Sequence, residues 1–145
     1  MKSLVFLPHL KILTIVTIMI NSMLWGCSSK KVSGCNTIQG VNLELTESVN
    51  PYLNSENPQE IKIVIDRFSE AEQSLSAKAV KDETLAPLTA KLASIYQQYS
   101  QVTSQYLVAY EQRNRDQIIQ SKNQLNQLFE QQTQTLQQIN DYCLN

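Results

Sequence analysis

Apolar residues recur at steps of three and four along most of this chain, the pattern of helices that each bury one face. The cleanest stripe runs Leu85, Leu88, Leu92, Ile95, Tyr99, Val102, Tyr106 and Ala109, alternating strictly between the two steps. A second runs Ile61, Val64, Ile65, Phe68, Ala71, Leu75 and Ala79. It follows Asn57-Pro58-Gln59-Glu60, which supplies an N-cap residue, a proline at the first helical position and an acid in the first turn. A third stripe, Ile118, Leu125, Leu128, Phe129, Leu136 and Ile139, brings Cys143 onto the same side. Between the first and third, Arg113-Asn114-Arg115-Asp116 breaks the spacing, and Asn114 with Gln117 forms a capping box.

Neither glycine nor proline lies between Pro87 and Asn145, so one unbroken helix of about 80 Å is the alternative to two. The phase break and the cap favour two antiparallel helices. Upstream, Ile38, Val41, Leu45, Val49 and Tyr52 sit at helical intervals, with Gly40 as the weak point. The pattern therefore predicts helices over 36–50, 58–82, 86–112 and 115–143: three long ones and a shorter first.

The N-terminus reads differently. Lys2 and Lys11 stand in a stretch without acids, and Ile12 to Leu24 is almost wholly apolar, as in an export signal. As helix that run reaches about 20 Å, short of the roughly 30 Å hydrocarbon core. It ends in Leu24-Trp25-Gly26-Cys27, with an aliphatic residue three places before the cysteine and a small residue just before it. This stretch resembles the lipobox of bacterial lipoprotein precursors. The family usually has Ala, Ser, Thr or Val where this chain has Trp25. The resemblance implies cleavage before Cys27, with diacylglycerol in thioether linkage on that cysteine and further acylation, such as palmitate, of its amine. More than one acyl chain holds a protein where a single chain is marginal. An uncleaved N-terminal anchor helix is the alternative.

On this reading 1–26 is a lipoprotein signal peptide, 27–34 the lipidated cysteine with a polar tether, and 35–145 the helical domain. The mature chain keeps ten Lys and Arg against thirteen Asp and Glu, a net charge of −3. With no basic block, it is not expected to bind nucleic acid. Cys35 and Cys143 remain once Cys27 carries lipid. In an oxidising compartment an even pair reads as a disulfide, two free thiols being the alternative. The bridge would close a loop worth about 4–5 kcal/mol on chain-entropy grounds. The start of a first helix and the end of a fourth share one end of an up-down-up-down bundle, where a bridge can join them. Three helices with the Cys35 segment as a strap would also allow it. The expected fold is an all-α, antiparallel four-helix bundle, its bridged end nearest the membrane.

Little in the domain invites catalysis. The one histidine, His9, belongs to the signal, and two cysteines without histidine make a poor metal site. With only Gly34 and Gly40 left there is no phosphate-cradling loop. The acidic pairs Asp66/Glu70 and Glu44/Glu47 read as solvated helix surface. No enzyme, cofactor or metal is expected. Tyr96, Tyr99, Tyr106 and Tyr110 crowd one helix. They read as core and boundary packing or a partner face, or as one wall of a slot for a flat apolar ligand. Fourteen Gln and five Asn fall between Gln97 and Asn145, giving the last helices an uncharged polar face.

The lipobox, the run from Cys35-Asn36 to Val41-Asn42 and the Gln-rich helical body together resemble small cyanobacterial lipoproteins. The PsbQ-like subunit of photosystem II is similar in size, anchoring and four-helix architecture, an analogy of fold alone. The expected function is a non-catalytic, lipid-anchored bundle that binds or scaffolds another protein at a membrane surface, facing the periplasm or another extracytoplasmic space. The alternative is a carrier or sensor of a small apolar ligand, quinone-like or pigment-like, beside the tyrosines.

Overall fold

The computed structural model describes residues 29–145. The expected signal segment, the Leu24-Trp25-Gly26-Cys27 motif and the expected lipidation site Cys27 lie outside the described residues. Four helices pack together: α1 (Ser29–Val49), α2 (Pro58–Ala77), α3 (Leu85–Glu111) and α4 (Arg115–Leu144), with a 3-10 turn at Asn50–Tyr52 after α1. No strand occurs among the described residues, and none of their helices is long and apolar enough to cross a membrane. The fold is the expected all-α four-helix bundle.

Local chemistry starts two helices where the sequence pattern places them. The Asn57 side chain accepts from the Gln59 N–H at 3.0 Å, with Pro58 at the position that needs no donor. Asn114 Oδ1 accepts from the Gln117 N–H at 3.2 Å. Between α3 and α4, Arg113 adopts a left-handed φ of 56°. The Asn114 N–H then reaches back to the Ala109 carbonyl at 2.8 Å and that of Arg113 to Tyr110 at 3.1 Å. This Schellman arrangement closes α3 and reverses the chain in a few residues.

Two boundaries differ from expectation. The first helix already includes Ser29, the first described residue, rather than starting at 36, so positions 29–34 of the expected tether are helical. Its polar composition concealed a packing position: Gly34 is buried, and a Cβ there would lie 2.8 Å from Leu85 Cδ1 and 3.1 Å from Val80 Cγ1. The second helix ends at Ala77 rather than 82, because Lys78 turns extended. That turn lets Val80 pack on the core and Asp82 serve α3. Consequently α1 and α2, at 21 and 20 residues, are the short pair, and α3 and α4, at 27 and 30, the long one.

Packing is uneven along the bundle. α2 and α4 both lie extensively along α3, whereas α1 packs chiefly on α2 and touches α3 and α4 over shorter stretches. α1 contributes Ile38, Val41, Leu45 and Val49 to the main core. A smaller cluster of Ile61, Tyr106 and Leu107, flanked by Ile65, Tyr110 and Ile118, draws only on α2, α3 and α4. The bundle thus has four helices at the Cys35 end and three at the end formed by the α3–α4 turn.

The two glycines of α1 make opposite predictions. Nothing lies within 4 Å of a Cβ built on exposed Gly40; Gly40→Ala should stabilise by about 0.5–1 kcal/mol through helix propensity alone. Gly34→Leu should destabilise by about 1–3 kcal/mol, because α1 must move off Leu85 and Val80. Urea denaturation of the two variants checks both signs.

Candidate functional site

Four chain segments converge at one end of the bundle. Cys35 Sγ on α1 is bonded to Cys143 Sγ on α4, across 108 positions of sequence, with the Cα atoms 6.0 Å apart. One residue before that bridge, the Tyr142 hydroxyl donates to Asp82 Oδ2 at 3.0 Å. One turn before the bridge on α1, the Lys31 ammonium stands 4.7 Å above the centre of the Tyr142 ring, a cation–π contact. The other carboxylate oxygen of Asp82 accepts from the N–H groups of Thr84 at 3.0 Å and Leu85 at 2.9 Å. Asp82 therefore caps α3, a role its place in the polar run Lys81-Asp82-Glu83-Thr84 had not singled out.

The Leu85 N–H is the largest influence holding the Asp82 carboxyl below its ordinary range. The Tyr142 hydroxyl, the Thr84 N–H and the Lys31 charge add to it, and burial opposes them. All of these partners come from the segments that the disulfide gathers. The end is a covalent and polar clamp.

The four tyrosines lie on one side of α3 yet meet different neighbours. The Tyr96 hydroxyl donates to Asn42 Oδ1 on α1 at 2.7 Å and is also hydrogen-bonded by the Gln132 side chain of α4. One fully buried phenol thus links three helices. Tyr99 stacks on Phe68 of α2, with ring centroids 4.6 Å apart and planes inclined by 15°, and the same Phe68 leans on Tyr96 at 5.9 Å. Tyr106 belongs to the smaller cluster and stacks on Tyr110 at 6.1 Å, with Lys122 Nζ 6.0 Å from its ring centre. Tyr110, half-buried, lines an open depression of about 560 Å³ with Pro58, Glu111, Arg113, Arg115 and Ile118. The row is therefore divided: Tyr96 and Tyr99 are core, Tyr106 closes the distal cluster, and Tyr110 borders a surface hollow. Sequence reasoning did not find Asn42, Gln132 or Phe68 as partners, since spacing within one helix carries no record of what faces it.

Among the described residues, no group of three or more His, Cys, Asp or Glu is placed to hold a metal ion. Every buried side-chain nitrogen and oxygen there has a hydrogen-bond partner.

Two titrations follow from these surroundings. Asp82 has a depressed pKa in the fold, so its contribution to stability is complete above the unfolded value near 3.9 and is lost as pH falls through the folded value. Urea midpoints should drop below about pH 4, and Asp82→Asn should flatten that portion of the curve while lowering the plateau. At high pH, burial raises Tyr96 and Tyr99 strongly and takes Tyr106 to about 12. Their contribution is intact below the unfolded value near 10 and fades as pH rises beyond it. Tyrosinate absorbance from these three should therefore emerge together with loss of helix, as a stopped-flow pH jump would record.

In comparison with known proteins, no family model, no curated protein and no solved structure matches this chain.

Proposed function

We propose that this chain is a non-catalytic, lipid-anchored helical protein that binds or scaffolds another protein at a membrane surface, held there through Cys27 on the extracytoplasmic side. The observation that carries the reading is the Cys35–Cys143 bond. Such a bridge persists in oxidising compartments and is rare in the cytosol, which agrees with an export signal ahead of the domain. The chain is already helical at Ser29, two positions after Cys27, so a lipid on Cys27 would hold the clamped end close to the bilayer. A 30-residue α4 then extends about 45 Å outward.

The chemistry of the domain supports a binding role over a catalytic one. Its buried carboxylate, Asp82, has both oxygens engaged in capping α3 and holding Tyr142. The exposed surface of α3 and α4 is rich in amides, and Val108 and Ile119 add apolar exposure near their junction. A carrier of quinone-like or pigment-like ligands has less support. Phe68 occupies the volume beside Tyr96 and Tyr99 that a flat molecule would need.

Extraction from its own membranes in mild detergent, followed by native mass measurement, tests the reading. The expected mass is that of residues 27–145 with acyl groups, accompanied by a protein partner. A mass beginning at Met1 would remove the anchor, and a small apolar molecule as the sole companion would favour the carrier.

A further inference from the structure

Along α4 the glutamines Gln117, Gln120, Gln124, Gln127, Gln131, Gln134 and Gln138 recur at strictly alternating steps of three and four. That spacing places all seven in one stripe about 32 Å long. Six of them are exposed and Gln124 is half-buried. The stripe stands roughly a quarter turn from the buried row Ser121, Leu128, Thr135 and Ile139, so it does not serve the core. None of the seven side-chain amides is hydrogen-bonded within the described domain.

Charge is excluded from the same surface. Between Gln117 and Gln138 the charged residues of α4 are Lys122 and Glu130, both off the stripe. Neighbouring α3 has no charged residue from Leu92 to Tyr110, and it exposes Gln97, Gln101, Ser104 and Val108. Solvated helix faces ordinarily mix Lys, Arg, Glu and Asp, so composition here departs from what solubility alone asks.

We propose that this glutamine stripe is a homotypic docking surface, with α4 of one copy lying parallel to, and in register with, α4 of a second copy. The three-and-four alternation is the repeat that lets two helices cross at a shallow angle along their whole length. In a parallel pair each stripe position meets its own equivalent. Glutamine suits that arrangement, because its amide both donates and accepts and so complements an identical side chain. The absence of charge means that identical positions meet without like-charge repulsion, although each mature copy carries a net −3. The parallel sense rests on the anchor reading above: two copies held at the same end in one membrane are related by an axis along its normal.

Across α4 and the adjoining flank of α3, a strip about 32 Å by about 20 Å offers about 600 Å² per copy, at the low end for specific pairs. Pairing of that size is weak in free solution. Confinement of both copies to one membrane raises their effective concentration.

Single-cysteine substitutions in the full-length protein, oxidised mildly in its native membranes, test the proposal. Q120C, Q127C and Q134C should each give a disulfide-linked homodimer, and N126C, on a different exposed face, should not. Adding Q124K and Q131K should reduce Q127C dimer yield about tenfold or more, as like charges then meet across the axis. The proposal is overturned if Q127C links no better than N126C, if it links to a different protein, or if Q120C and Q134C react only when mixed. The acyl mass of the Cys27 peptide, read from the same samples, checks the anchor independently. Its loss would overturn that reading and leave the cross-linking result to judge the pairing.

Discussion

The bridge between Cys35 and Cys143 is the constraint on which the arrangement of this bundle most depends. α2, α3 and α4 are consecutive and hold one another by long apolar seams with short connections. α1 has a different problem: it must return to the end of a chain more than a hundred residues away, and it packs extensively only on α2. Closing a loop of 108 positions removes about 4–5 kcal/mol of chain entropy from the unfolded state. That is comparable to the whole net stability of a small domain, about 5–15 kcal/mol.

The other features of that end become intelligible from the bridge. Gly34 lets α1 approach Leu85 without a side chain between them. Lys31 lies over Tyr142, and Tyr142 in turn holds the carboxylate that caps α3. Each contact is modest and local, and the covalent bond brings the segments together so that all can form at once. Beyond the reach of α1 the bundle thins to three helices, and the second apolar cluster takes over with tyrosines at its margin. One end is therefore built for fixity. The other three helices present long polar faces to whatever they meet.

Much of the fold was legible because helix formation leaves a periodic record. The stripe of α3, most of that of α2 and the N-caps at Asn57 and Asn114 are local chemistry, and the structure uses them. The box read at Asn114 is only half made, because its N–H goes to the Ala109 carbonyl instead of the Gln117 side chain. What escaped depended on long-range contact. Ser29 to Gly34 has the composition of a linker, but tertiary packing against Leu85 makes it helix. Lys78 to Thr84 continues an apparent stripe through Ala79, yet Val80 and Asp82 turn to serve the core and the next helix. The tyrosines share a side of α3, as spacing implied. Their separate fates are decided by Asn42, Phe68 and Gln132 on three other elements. Function is the least legible part, since a binding face needs no periodicity beyond that of the helix that carries it.

Amide hydrogen exchange with the Cys35–Cys143 bond intact and then reduced measures the central claim most directly. If the bridge is what holds α1 in place, reduction will deprotect the amides of Ser29–Val49 selectively, while those of α3 and the middle of α4 keep most of their protection. Equal protection of α1 and α3 after reduction would contradict it. The apolar face of α1 alone would then be enough to hold that helix, and the bridge would be an accessory to a bundle already complete.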